Sequence, residues 1–253
     1  MNGSTRSLER GLAVLECFRP GVYVLAHREI VEKTGLPKAT VTRLAATLCR
    51  AGYLVRDTET RGWRLGVPVL SLAHSVRLAN ASMRSLARAM AEVARATESF
   101  VALGAAHGGD MVYVETANCN RTMRSRTLEP GMRTPILLSS MGRAYLAGLP
   151  ADRRQAMLAE FARTDPRWRP ALGAEIRRAV QAVRERGYCL VLYSDGRDGT
   201  VAAPVAAAGL PMQAISIGFP NDTGRRDRAP AAIVAALRSL IDLAGTPPAG
   251  DAT

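Results

Sequence analysis

Gly35-Leu36-Pro37-Lys38-Ala39-Thr40-Val41-Thr42-Arg43-Leu44-Ala45-Ala46-Thr47-Leu48-Cys49-Arg50-Ala51-Gly52 decides how the chain begins to fold. Gly35-Leu36-Pro37 reads as a tight turn, Pro37 suits the first position of a helix, and Gly52 closes that helix. Projected at about 100° per residue, Pro37, Val41, Leu44, Ala45 and Leu48 share one stripe. Ala39, Arg43, Ala46 and Arg50 fall opposite, with Thr40, Thr42 and Thr47 on the flanks. A solvated helix usually presents Glu and Lys outward, yet no acid occurs between Gly35 and Arg56. Small residues, threonines and arginines on an outer face permit close approach to a major groove and hydrogen bonding there. The plain alternative is an exposed helix with a few arginines.

The flanking segments complete an order. Upstream, Leu8, Leu12, Leu15 and Cys17–Phe18 recur at near-helical spacing from Ser7 until Arg19-Pro20-Gly21. Val22–Leu25 is a short apolar run, and Arg28–Thr34 reads as a second helix. Downstream, Tyr53–Arg56 and Trp63–Leu65 are extended pieces flanking Asp57-Thr58-Glu59-Thr60-Arg61-Gly62, a hairpin tip. Helix, helix, tight turn, helix and hairpin make a winged helix-turn-helix, here residues 1–66. Pro68–Asn80 predicts a connecting helix in a linker at 67–82. Beyond Met83, helices are predicted at Arg84–Thr97, Ser140–Leu149, Asp152–Phe161, Leu172–Arg186 and Ala229–Ala244. Strands are predicted at Phe100–Ala106, Met111–Ala117, Met123–Leu128, Tyr188–Tyr193, Val201–Ala206 and Met212–Phe219. No strict βαβ rhythm appears, so the fold class is α+β, with an antiparallel sheet flanked by helices in a second domain at 83–245. Residues 246–253 read as a disordered tail.

Charge and composition narrow the function. The 253 residues carry 34 basic and 22 acidic side chains, a net charge of +12. Basic globular proteins favour polyanions, nucleic acid foremost. Residues 1–80 hold 12 basic and 6 acidic residues against 22 and 16 in the rest, so the first third is about twice as basic per residue. Only Lys33 and Lys38 are lysines, and a GC-rich coding bias also explains so much arginine. Cys17, Cys49, Cys119 and Cys189 are scattered, as are His27, His74 and His107, so neither a zinc module nor a disulfide framework is expected. No apolar run approaches a membrane span and no secretory core opens the chain, so a cytoplasmic protein with no membrane partner and no cofactor is expected. GxGxxG after a strand, GxxxxGK(S/T), HExxH and GxSxG are all missing, so no catalytic residues are assigned. A thiol redox sensor on Cys119 or Cys189 would need a resolving partner that the sequence does not place nearby.

Taken in order, the chain resembles the IclR family of bacterial transcriptional regulators from about Ser7 to Ala244. The matching pieces in the first third are Ser7–Leu15, Gly35–Leu44 and Gly52–Arg56. Later come Thr134-Pro135, Ser139-Ser140-Met141-Gly142-Arg143-Ala144-Tyr145-Leu146-Ala147, Gly187-Tyr188, Ala202-Ala203-Pro204-Val205 and Ala214-Ile215-Ser216-Ile217. The resemblance implies a winged helix that binds operator DNA as a dimer, and a C-terminal GAF-like domain that binds a small metabolite. The Ser-Met-Gly-Arg run is similar to that of regulators of aromatic-acid catabolism through protocatechuate. The family's acid-sensing pocket often holds an acid shortly after the Gly-Tyr pair and two serines at alternate positions of the last strand. Here Val191 and Leu192 stand in the first region, and Gly218 replaces the second serine beside Ser216.

The candidate DNA-binding residues are Lys38, Thr40, Thr42 and Arg43 on the third helix and Arg56, Arg61 and Arg64 on the hairpin. Arg43 lies nearest the centre of the polar face, and arginine bidentate to guanine is the commonest specific base contact. The hairpin arginines should meet phosphate or the minor groove, although Arg61 at the tip also reads as a solvated charge. Trp63 reads as wing core. For the effector, Ser139, Ser140, Met141 and Gly142 open a helix, where main-chain N–H groups and serine hydroxyls form a site for a metabolite carboxylate. The plain alternative is that Ser140 only caps the helix. Ser216 alternates with Ile215 and Ile217 and so faces away from them, toward a pocket. Thr200, Tyr113, Cys189 and Ser99 complete the effector candidates, and the arginines at 121, 124, 126 and 133 read as a solvated strand edge. The expected partners are double-stranded operator DNA with an inverted repeat, a carboxylate effector, and further copies of the chain in a homodimer or a dimer of dimers.

Overall fold

Three helices, a hairpin and a fourth helix build the first of two units, Met1–Ala79. The computed structural model describes residues 5–77, 81–119, 128–193, 196–206, 211–221 and 229–245. α1 (Arg6–Glu16), α2 (His27–Thr34) and α3 (Lys38–Arg50) enclose a core of Val14, Cys17, Leu25, Ile30, Val41, Ala45 and Leu54. Gly35 ends α2 at φ 65°, a left-handed conformation that an L side chain resists. Pro37 precedes α3 in an extended conformation; it is exposed and lies outside the helix rather than on its buried stripe. β1 (Leu54–Arg56) pairs antiparallel with β2 (Trp63–Leu65). Leu25 bridges to Trp63 through reciprocal N–H to carbonyl bonds of 3.0 and 2.9 Å, so the apolar run Val22–Leu25 feeds the wing. At the base of the hairpin the Gly66 N–H donates to the Tyr53 carbonyl (2.8 Å), and a Cβ on Gly66 would collide with the Gly52 carbonyl. Arg61, at the tip, holds φ 55° without being glycine. α4 (Pro68–Arg77) follows and leaves Leu70, Leu72 and Val76 exposed.

The second unit, Asn80–Thr253, opens with α5 (Ala81–Ala96). β3 (Phe100–His107), β4 (Asp110–Asn118), β5 (Arg133–Pro135), β6 (Cys189–Tyr193), β7 (Asp198–Val205) and β8 (Gln213–Pro220) form one sheet in the order β5-β4-β3-β8-β7-β6. Every neighbouring pair is antiparallel. α6 (Ser140–Gly148), α7 (Ala151–Thr164) and α8 (Pro170–Arg186) cover one face, and α5 with α9 (Ala231–Ala244) covers the other. Strand alternation sorts the cores: Val101, Leu103, Val201, Ile215 and Ile217 pack beneath α5 and α9, whereas Ala102, Ala202 and Ala214 face α6 and α8. These small residues let α6 lie close to the sheet, so close that a Cβ on Gly104 would strike the Met141 sulfur.

Element types agree with the sequence reading wherever they are described, and boundaries shift by a few residues. β5 has no counterpart in that reading, because Arg133-Thr134-Pro135 is too short and polar to show a strand period. Arg133 is mostly buried 3.9 Å from Asp110, not a solvated edge. Most of the expected strand Met123–Leu128, Arg121, Arg124 and Arg126, the end of the connecting helix at Asn80, and residues 246–253 lie outside the described residues. Among the described residues no helix is long and apolar enough to cross a membrane, and no group of three or more His, Cys, Asp or Glu is placed to hold a metal.

Candidate functional site

The outer face of α3 presents Lys38, Thr42, Arg43, Thr47 and Arg50, with Thr40 half-buried toward α1. The Thr42 hydroxyl donates to the Lys38 carbonyl (3.0 Å) and lies 3.0 Å from His27 Nε2, so α2 braces α3 through this side chain. Its proton is therefore engaged within the protein. On the wing, the Arg56 guanidinium lies 4.7 Å from the centroid of the Trp63 ring, which packs on the core as expected. Arg64 pairs with Asp57, a nearly buried carboxylate whose other oxygen accepts from the Thr60 N–H (2.8 Å) and hydroxyl (2.6 Å). The bonds from Thr60, hydroxyl first, hold the Asp57 carboxyl below its ordinary range, and Arg64 adds to them. One terminal nitrogen of Arg64 is thus engaged within the wing, while its side chain stays 53% exposed. Arg61 is exposed.

In the second unit, a cavity of about 350 Å³ opens between the start of α6 and the sheet. It brings together Tyr113, Ser139, Ser140, Met141, Thr200 and Ser216 from the sequence candidates. The cavity exists because the sheet floor is low there: Thr200, Gly218 and Phe100 are aligned across β7, β8 and β3, and Ser216 lies between Ala202 and Ala102. Phe100, Leu138, Tyr193, Asp198 and Gly218 also line it. Asp198 was legible in principle, two residues before Thr200 on the same strand face. Tyr193 was not, because its role depends on where α6 sits.

The helix start is more occupied than the sequence implied. Ser139, not Ser140, is the cap: its hydroxyl donates to the Pro135 carbonyl (2.9 Å) and accepts from the Gly142 N–H (3.0 Å). The Ser140 N–H donates to the Tyr193 hydroxyl at 2.9 Å. Of these first-turn donors, the Met141 N–H carries neither bond. Burial, with Tyr193 nearby, pushes the Tyr113 phenol up to about 12. Burial also raises Tyr193, against the hydrogen bonds from Ser140. Both phenols are therefore neutral at pH 7, and Asp198 brings the one carboxyl side chain among the described lining residues.

Three candidates fall outside this cavity. Gly142 is a close-packing position, where a Cβ would run into the Ile136 backbone. Cys189 is fully buried with its sulfur 3.5 Å from the Ser140 carbonyl, and burial pushes its thiol up to about 12, which denies it a thiolate's reactivity. Ser99 is buried and bonded to the Thr97 hydroxyl (2.7 Å).

Two family models cover both units: "IclR helix-turn-helix domain" matches residues 7–58, and "Bacterial transcriptional regulator IclR C-terminal" matches residues 76–242. The chain belongs to the IclR family. As an IclR-family transcriptional regulator it joins a DNA-binding helix-turn-helix to a ligand-binding C-terminal domain. It is 31% identical over 214 residues to the HTH-type transcriptional regulator TsaQ1/TsaQ2 of Comamonas testosteroni, across 83% of this chain and 74% of that one. The crystal structure of an IclR family transcriptional regulator from Brucella abortus superposes with a TM-score of 0.82 at 30% identity, covering 96% of this chain and 92% of that one. An IclR homolog from Microbacterium hydrocarbonoxydans, complexed with 4-hydroxybenzoate, shares the fold at 21% identity and a TM-score of 0.71, over 94% and 97% of the two chains.

Proposed function

We propose that this regulator reads an inverted-repeat operator as a homodimer or dimer of dimers, and that a small aromatic acid in the α6 cavity changes its DNA affinity. It acts in the cytoplasm, and its output is DNA affinity rather than a reaction. Arg43 reads a base, flanked by Thr40 and by Thr42, while Lys38, Arg56 and Arg61 contact phosphate. Arg64 keeps the wing in shape through Asp57.

The observation that carries the effector reading is the convergence of six sequence-selected residues on one cavity sized for a single-ring compound. Phe100, Tyr113 and Leu138 give it apolar walls. The carboxylate lies against the start of α6, where the Met141 N–H is a donor and the Ser140 hydroxyl becomes a second by turning from Tyr193. Asp198 accepts from a ring hydroxyl or another donor on the ligand. A neighbour in fold is complexed with 4-hydroxybenzoate, so that compound is the first to test. The second reading is a neutral ligand held mainly by apolar contacts, favoured by the lack of a basic side chain among the described lining residues.

Thermal unfolding with 4-hydroxybenzoate, benzoate and their amides separates the two. A ligand at ~100 times its Kd stabilises by ~2.7 kcal/mol. Ser140→Ala should weaken the acids more than the amides, and Asp198→Asn should weaken 4-hydroxybenzoate more than benzoate. Equal losses for acid and amide would favour the neutral ligand, and no stabilisation by any aromatic acid would sink the first reading.

A further inference from the structure

A second cavity, of about 500 Å³, lies between α6, α8 and β6, the end strand of the sheet, and shares Leu138 and Tyr193 with the first. Its charged lining is Arg143, Arg178 and Arg186 against Glu175 alone, counted among the described residues. Arg143 is the inner wall: its side chain is only 12% exposed, and one terminal nitrogen donates to Glu175 at 2.7 Å. Its Nε is buried and has no acceptor. That Nε is closed off from the cavity, so only the terminal nitrogens of the Arg143 guanidinium can meet a ligand there. Arg186 is steadied at the rim, its Nε donating to the Tyr188 carbonyl (3.2 Å) and its guanidinium 4.7 Å from the centroid of the Tyr188 ring. Arg178 is exposed.

We propose that this cavity binds a small dianionic oxyanion, a phosphate or a dicarboxylate, its oxygens shared between Arg178 and Arg186 at the rim and a terminal nitrogen of Arg143 on the inner wall. Guanidinium groups present several donors in a fixed planar fork, which suits a ligand with oxygens on more than one side. Glu175 competes with the ligand for Arg143 and keeps the site weak when the ligand is scarce.

Calorimetric titration of the full chain with inorganic phosphate and with succinate, against chloride at equal ionic strength, tests the site. Both anions should bind above the chloride background, and the tighter one identifies the ligand's chemistry. Arg178→Gln and Arg186→Gln, both at exposed positions, should each weaken binding about tenfold, the loss of one charge-assisted contact. Glu175→Gln should tighten it, an opposite sign that general damage to the fold would not produce. No binding above chloride would overturn the proposal. So would binding that Arg178→Gln and Glu175→Gln leave unchanged, since the anion would then sit on the DNA-binding face.

Discussion

In the proposed reading, two arginines divide the DNA work by their surroundings. Arg43 is exposed on a helix face braced by His27, whereas Arg61 stands at a hairpin tip. Arg43→Ala should cost ~1–3 kcal/mol on the operator and relax preference at one base pair. Arg61→Ala should weaken all sequences alike and flatten the salt dependence. Fluorescence anisotropy on operator and random duplexes at several salt concentrations checks both, and an unchanged operator-to-random ratio for Arg43→Ala would remove it from base reading. Asp57 gives a pH test. Its carboxyl is held low mainly by Thr60, so the ionised form stabilises the wing above the unfolded pKa of about 3.9, and this is lost as pH falls through the lower folded value. Asp57→Asn should therefore lower the Tm at pH 7, with the gap to wild type closing in acid. A gap constant from neutral pH to strong acid would refute the ionic account. The exposed position of Arg43 on α3 was legible in the sequence because a helical projection needs only neighbours. The engagement of Arg64 was not, because its acid lies seven residues back across a turn.

The start of α6 shows the same boundary between local and distant information. That a helix begins near two serines follows from residues 139–142 alone. Which serine caps it depends on which residue keeps an extended backbone, and here Ser139 does, at φ −103° and ψ 149°. The bond from Ser140 to Tyr193 joins positions 53 residues apart, beyond any periodicity. Ser139→Ala removes both of its hydroxyl's bonds and should cost ~0.5–2 kcal/mol, read from the urea midpoint. Gly142→Ala should cost ~1–3 kcal/mol, because its new methyl meets the Ile136 backbone, which cannot rotate aside. A Gly142→Ala chain as stable as wild type would mean that α6 can shift outward. β5 stayed illegible because Arg133-Thr134-Pro135 carries no large apolar residue to mark a strand, unlike the equally short β1 and β2.

For the whole molecule, the proposed function puts effector and DNA on one equilibrium. Whatever factor the effector imposes on DNA affinity, DNA imposes on effector affinity, typically ~5–150-fold. Titrating 4-hydroxybenzoate with and without operator, and operator with and without the acid, should give that factor from both sides, and a factor of one would mean that the acid and the DNA are not coupled. A two-fold dimer should also require half-site centres about 34 Å apart, or a multiple, so inserting half a helical turn between them should abolish specific binding. The pairing of a winged helix with an α+β domain was legible because order and spacing recur over the whole chain. Tyr193 and Leu138 front both cavities, so a side-chain shift that makes room in one takes room from the other. Were both chambers to fill as proposed, such a partition would work as a logic element, two ligands setting transcription jointly and neither dose alone fixing the response.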